Sequence, residues 1–283
     1  MQITDKIFLI EGKNNSQFPY SNSLFIKDEK TCLVDTGFGN FIEGVDIIIN
    51  THSHPDHIWG NSKFKRIFIH EAESYALNSL SGMKENFGIL NSEIEEDWGF
   101  FLKSFISHFK SPSQTFKDRD IIELGDLKFE VIHTPGHSPG HCCFYERGER
   151  FCYLADIDLS SFGPWYGYEH SNLDDFIKSI EKLKRFKIET AATSHKRDLV
   201  EENVSEELKK YLERIQKREE RIEEFLREER TLEELTDEKI IYGEFPNPRK
   251  IFRYFEKMMI TKHLERLRDR GLIEKTERGY VRT

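Results

Sequence analysis

The chain has little cysteine, no long apolar run and no excess of positive charge, and each shortage removes a class of protein. Its 283 residues include four cysteines, Cys32, Cys142, Cys143 and Cys152. Each lies in or beside an apolar, strand-like run, which suits small core residues better than a disulfide framework. No apolar stretch approaches bilayer-spanning length, and the N-terminal Met-Gln-Ile-Thr-Asp has no secretory pattern, so a cytoplasmic protein with no membrane partner is expected. Lysine and arginine total 42 against 51 acidic residues, a net charge of −9. Uniformly basic nucleic-acid binding is thereby disfavoured, although a local basic face stays compatible with it. Hydrophobic residues make up only 37%, yet at this length the buried fraction of surface is large enough for a core.

What is present is concentrated in residues 51–57, Thr-His-Ser-His-Pro-Asp-His. Three histidines and an aspartate follow directly on the apolar run Val45–Ile49, which reads as a buried strand. Imidazole and carboxylate are the donors that first-row divalent metals accept. Alternation sends His52 and His54 to one side, while Asp56 and His57 lie one turn further on.

Further strands are expected at Ile7–Ile10, Leu24–Ile26, Cys32–Val34, Arg66–His70, Ile121–Leu124, Phe129–His133, Phe151–Leu154 and Ile188–Thr193. Several end in chemically capable residues. Cys32–Val34 ends in Asp35-Thr36-Gly37, and Asp35 is either a turn residue or a carboxylate that orients the metal loop from behind. Phe129–His133 runs into Thr134-Pro135-Gly136-His137-Ser138-Pro139-Gly140-His141, a loop whose prolines and glycines hold one side chain rigidly. His137 is its natural ligand, with His133 and His141 in supporting roles. Asp156 is the first acid after Phe151–Leu154, and His195 follows the last strand. Convergence of these strand ends on one edge of a sheet sandwich accounts for all of them at once.

Other segments keep two readings. Residues 71–117 carry helical patches and the aromatics Trp98, Phe100, Phe101, Phe105 and Phe109, either as a substrate-facing cap or as a packed insertion. Trp165 and Tyr166, between glycines, suit a pocket wall or a packed surface loop. Lys196 and Arg197 either neutralise an anionic substrate or are simply solvated. Ser171 is placed to cap a helix with apolar positions Leu173, Phe176, Ile177, Ile180 and Leu183. From about Val200 the chain is highly charged and helical: one long helix, a capping box at Thr231–Glu234, a stretch after Pro248 and another at Thr261–Arg270. Residues Ile273–Thr283 suit a hairpin wing. Lys262, His263, Arg266, Arg268 and Arg270 make the last helix basic, as in a nucleic-acid reader. A packing or homodimerisation module that buries its apolar face is the favoured reading.

Together these motifs resemble the metallo-β-lactamase superfamily over residues 1–199. The resemblance implies an αββα sandwich, a four-layer α/β fold, with the helical, winged-helix-like residues 200–283 as a smaller domain. It also implies two divalent metals, zinc before iron or manganese: His52, His54 and His137 on the first, Asp56, His57 and His195 on the second, and Asp156 between them. True metallo-β-lactamases lack an aspartate at the place of Asp156, and flavin-linked di-iron members carry glutamate at the place of His54. Thr134-Pro135-Gly136-His137 resembles the glyoxalase II branch of thioester hydrolases. The C-terminal extension resembles that of lactamase-β-like endoribonucleases, but Pro139-Gly140 stands where those carry acids. The expected activity is hydrolysis of a small thioester, ester or lactone by a hydroxide held between two metals, with Asp56 orienting it and moving a proton. A phosphodiesterase docking nucleic acid through the tail is the alternative, and an iron-dependent persulfide dioxygenase a third.

Overall fold

Apolar residues spaced by two along the first hundred positions form one wall of a two-sheet sandwich in the computed structural model, which describes residues 1–37, 42, 44–106 and 108–283. The first sheet runs in chain order: β1 (Ile7–Ile10), β2 (Ser23–Lys27), β3 (Thr31–Val34), β4 (Ile47–Ile49), β5 (Ile67–His70) and β6 (Gln114–Phe116). Pairings from β3 to β6 are parallel. The second sheet contains β7 (Ile121–Glu123), β8 (Lys128–His133), β9 (Cys142–Glu146), β10 (Phe151–Tyr153), β11 (Thr190–Ala192) and β12 (Val200–Glu201). Its order is β12-β11-β10-β9-β8-β7, parallel only between β10 and β11.

Side chains alternate across each strand, so a single strand serves two layers. Ile47 and Ile49 enter the inter-sheet core with Leu24, Val34, Phe129, Val131, Phe144 and Tyr153. Ile48, between them, faces outward to a helical layer. That layer follows the short α1 (Pro55–Ile58) and contains α2 (Leu80–Phe87) and α3 (Glu95–Phe105), through Met83, Phe87, Trp98 and Leu102. On the other flank, α4 (Leu173–Leu183) and α5 (Val204–Phe225) cover Ile132, Cys143 and Cys152 with Phe176, Ile180, Leu208 and Ile215. Each such buried apolar side chain contributes roughly 1.5–3 kcal/mol. All four cysteines are free and buried.

The C-terminal residues are woven into both flanks. After α6 (Leu232–Asp237) comes α7 (Arg249–Asp269), whose Met259 joins the α4–α5 layer while Ile251, Tyr254 and Phe255 join the α2–α3 layer. A separate small core of Ile222, Leu226, Leu235, Ile260, Leu264, Leu267 and Ile273 ties α5, α6 and α7 to the hairpin of β13 (Ile273–Lys275) and β14 (Tyr280–Arg282). Thr231 and Glu234 form the capping box.

Several local expectations change. Arg249–Asp269 is one continuous helix, because no glycine or proline interrupts it between Pro248 and Gly271. Asn172 caps α4, its side chain accepting from the Asp175 N–H, and Ser171 instead donates to the His137 carbonyl. β6 and β9 were absent from the strand expectations: β6 has three residues, and β9 is buried along its whole length, so neither alternates visibly. β12 carries the second sheet just past residue 199, where Val200 pairs with Ala191. The side chain of Phe105 lies outside the described residues. Among the described residues no helix is long and apolar enough to cross a membrane.

Candidate metal centre

Four strand ends deliver donors to one edge of the sandwich. β4 leads into Asn50–His54, and Pro55 then starts α1 at a position where its missing N–H costs nothing, bringing Asp56 and His57 round on the first turn. β8 leads to the loop carrying His137, β10 to Asp156 and β11 to His195. Gly136, at φ +134°, lets this loop meet α4: a Cβ there would stand 2.3 Å from the Phe176 Cα. Asp35 (φ 60°) and Ala155 (φ 50°) adopt left-handed backbone beside two of the strand ends, a conformation that costs non-glycine residues roughly 1–2 kcal/mol.

Two donor groups result. His52, His54, His137 and Asp156 form one, and Asp56, His57 and His195 the other, with one ligand atom of each residue within 4.8 Å of the others in its group. Asp156 touches both: Oδ2 is 3.2 Å from His137 Nε2 and 3.6 Å from His195 Nε2, and Oδ1 is 3.1 Å from His57 Nε2. Asp56 Oδ2 lies 3.3 Å from His195 Nε2.

Four of the imidazoles are held from behind, and that fixes which nitrogen is free. His57 Nδ1–H donates to Asp35 Oδ2 at 2.7 Å, His137 Nδ1–H to the Trp165 carbonyl at 3.0 Å and His195 Nδ1–H to the Ser16 carbonyl at 2.9 Å. Thr51 Oγ1 donates to Asp35, so it accepts from His52 Nδ1–H at 2.9 Å. All four rings therefore present a bare Nε2 lone pair to the cluster, the tautomer that ligation requires. His54 turns the other way, with Nδ1 2.9 Å from His137 Nε2.

The fit to cations is visible in what is left unpaired. His52 Nε2, His57 Nε2 and Asp156 Oδ1 are buried without a hydrogen-bond partner, which costs about 1–3 kcal/mol per group unless something compensates. A divalent cation between them does so, and the His/Asp donor set is one that zinc, iron or manganese accepts. Electrostatics agree. Burial, helped by neighbouring imidazoles, pushes His52 and His54 well below the usual histidine range. Burial acts the same way on His57 and His195, but the facing Asp156, with Asp35 and Asp56 beside His57 and Asp56 beside His195, outweighs it and raises both. Asp156 is held well below the carboxylate range, since His57, His195 and His137 overcome its desolvation. The field that favours protons on the imidazoles equally favours cations.

Two buried side chains in unexpected places tie the ligand loops together. Glu73 accepts from Ser53 N–H at 2.6 Å and from Gly140 N–H at 2.7 Å, clamping the first histidine loop to the His137 loop. Asn22 donates to the carbonyls of Thr193 and Lys196 at 2.9 and 2.8 Å, holding the turn before and after His195. Neither stands in a motif. His141 accepts the Asp156 N–H at 3.1 Å, and His133 stacks on His70 away from the centre.

Above the cluster opens a cavity of about 420 Å³. Trp165 lines it, whereas Tyr166 points the other way and is buried against His263 and Arg218. Tyr168, two residues on in this irregular loop, takes the wall position. Lys196 and Arg197 are outside the lining, and Arg197 pairs with Glu11 at 3.1 Å because the turn after His195 leads away from the cavity. The far wall, formed by Tyr211, Tyr242, Phe252 and Phe255, comes from the C-terminal residues.

Comparison with known proteins follows the same division. A family model described as the metallo-beta-lactamase superfamily matches residues 17–195. Acyl-coenzyme A thioesterase MBLAC2 of Bos taurus is 29% identical over 48% of this chain and 50% of its own. Hydroxyacylglutathione hydrolase GloC of Haemophilus influenzae is 26% identical over 50% of this chain and 67% of its own. The chain spans about half the length of the thioesterase relatives it matches. In fold, a metallo-beta-lactamase family protein of Thermus thermophilus superposes with a TM-score of 0.77 at 22% identity, covering all of both chains.

Proposed function

The chain belongs to the metallo-β-lactamase superfamily, and from that premise we propose that it is a two-metal hydrolase of small thioesters, with esters and lactones as related substrates. One observation carries the reading: two donor groups share Asp156 at the base of a cavity sized for a small molecule. The similarity to an acyl-coenzyme A thioesterase and a hydroxyacylglutathione hydrolase supports the thioester.

His52, His54 and His137 would hold one cation, Asp56, His57 and His195 the other, and Asp156 both; zinc is the expected metal. Divalent cations bound there supply acidity to a water and a positive field for the negative charge that develops on the substrate oxygen. The protein's own groups do the rest. Asp56 orients the attacking water, takes its proton and passes it to the departing sulfur. Asp35, Trp165 O and Ser16 O keep His57, His137 and His195 in the ligating tautomer. The aromatic walls exclude other water from the reacting carbonyl. We assign residues 200–283 a winged-helix-like form that serves as a wall of the site. Its basic helix supports this over nucleic-acid docking. Arg266 pairs with Glu219 and Asp174, Arg270 with Glu219, and His263 is buried on Tyr166.

Metal analysis and a panel of thioesters, lactones and model RNA provide the test. His54→Ala and Asp156→Ala should each abolish thioester turnover while leaving the circular dichroism spectrum in place. Undiminished turnover by metal-loaded Asp156→Ala would refute the mechanism.

A further inference from the structure

We propose that the cavity is an acyl chamber for an apolar chain of medium length, with α7 setting the length limit; this rests on the thioester-hydrolase reading above. One end of the cavity carries His54, Asp56, His137, Asp156 and His195. Its sides are aromatic. Phe255 of α7 packs edge-on against Trp165, Tyr168 and Trp98, at centroid distances of 5.2, 5.4 and 5.4 Å. Phe252, one turn earlier, packs on Phe255 at 6.0 Å and on Tyr242 at 5.6 Å. Tyr242 in turn accepts the Trp165 indole N–H at 2.7 Å, locking the C-terminal wall to the loop whose carbonyl holds His137.

The chemistry of the walls selects the ligand. Among the described residues that line the cavity there is no lysine or arginine, and the acids belong to the metal-ligand edge and to Asp158 beside it. The charged groups of a glutathione or a coenzyme A carrier meet no lysine or arginine among these residues, so the carrier would stay outside the chamber and the acyl chain would enter it. An alkyl chain needs only area out of water. A volume of about 420 Å³ lies at the small end of small-molecule sites, which run to roughly 300–1,000 Å³. A thioester with an acyl chain of about eight to ten carbons suits that size. In the reaction the acyl carbon–sulfur bond breaks, the oxygen of water bonds to the acyl carbon, and acid and thiol leave. One water proton ends on the thiol, and nothing is oxidised or reduced.

Non-hydrolysable S-alkyl coenzyme A thioethers, from ethyl to hexadecyl, titrated calorimetrically into the metal-loaded protein, test the chamber without turnover. Each methylene taken from water tightens binding by up to about fourfold. S-octyl should therefore bind at least 100-fold tighter than S-ethyl, with the gain ending near ten carbons. Phe252 is half-buried, so Phe252→Ala should fold and move the limit outward by two to four carbons, and Phe252→Trp should move it inward. Hydrolysis of the matching acyl-coenzyme A series is measured alongside. Thioester turnover with a flat binding series, or a limit unmoved by both variants, would overturn the chamber and leave the hydrolase reading standing. A graded binding series with no thioester cleaved would overturn the thioester reading and leave the chamber standing.

Discussion

Asp35→Asn isolates the support behind the metal ligands from the ligands themselves. Asp35 is fully buried and accepts three hydrogen bonds: from His57 Nδ1–H at 2.7 Å, Thr51 N–H at 2.8 Å and Thr51 Oγ1–H at 2.8 Å. Its φ of 60° is one that asparagine tolerates well, so the backbone need not move. One carboxylate oxygen becomes an NH₂, which has no acceptor on the Thr51 N–H side. Turned instead towards His57, it donates to Nδ1 and drives the ring proton to Nε2, the nitrogen meant for the metal. Either orientation leaves a buried donor opposed or unsatisfied, costing about 1–3 kcal/mol of stability. Loss of such a partner costs roughly 10–100-fold in metal affinity, or about 1.4–2.7 kcal/mol. The loss should fall on the Asp56/His57/His195 group more than on the other, since His57 belongs to the former. Chelator competition on wild type and variant measures the two affinities, and a urea midpoint measures the fold. Unchanged affinity at both groups would refute the tautomer argument, and equal losses at both would refute its localisation.

Three further expectations follow from other contacts. Buried Arg218 donates to the carbonyls of Pro164 and Phe162 at 2.5 and 2.6 Å, so Arg218→Met should cost about 3 kcal/mol and raise KM more than it lowers kcat; an unshifted urea midpoint would refute it. Filter binding to single-stranded RNA at low salt should find no association that Arg266→Ala and Arg268→Ala weaken; a log–log salt slope of about −4 or steeper would revive nucleic-acid docking. Burial, with His133 stacked on it, pushes His70 down to about 4, and its Nδ1 accepts the Ala72 N–H. Because the folded value lies below the ordinary 6.5, the unfolded chain binds the proton more readily. This part of the stability is present above about pH 6.5 and is lost as pH falls towards 4. His70→Asn keeps the acceptor and should flatten that slope in urea midpoints of the metal-free protein.

How much could be read in advance depended on whether a signal was local. The loop at residues 51–57 announces itself because so many histidines and acids within seven positions have few other uses. The strand ends at Asp35, His137, Asp156 and His195 follow from apolar runs that stop at a chemically capable residue. Supports acting across the chain leave no such trace. Glu73 reaches Gly140 across 67 residues and Asn22 reaches Thr193 across 171. In sequence, each is one polar residue among many. Tyr166 and Tyr168 stand two apart in an irregular loop, and only the packing of Tyr166 against Arg218 and His263 reveals that Tyr168 is the one that faces in. The basic pattern of α7 reads two ways for a related reason: a helix that pairs with Glu219 and Asp174 looks, in sequence, like one that pairs with phosphate. The difference has a physical root. Catalytic donors are limited to a few residue types, so their spacing is informative, whereas a wall that selects an acyl chain is built from the same phenylalanines and tyrosines as any core. In this chain that wall comes from α7 and the segment before it. Exchanging Phe252 should therefore alter which substrate is taken while leaving the metal affinities, measured by chelator competition, untouched.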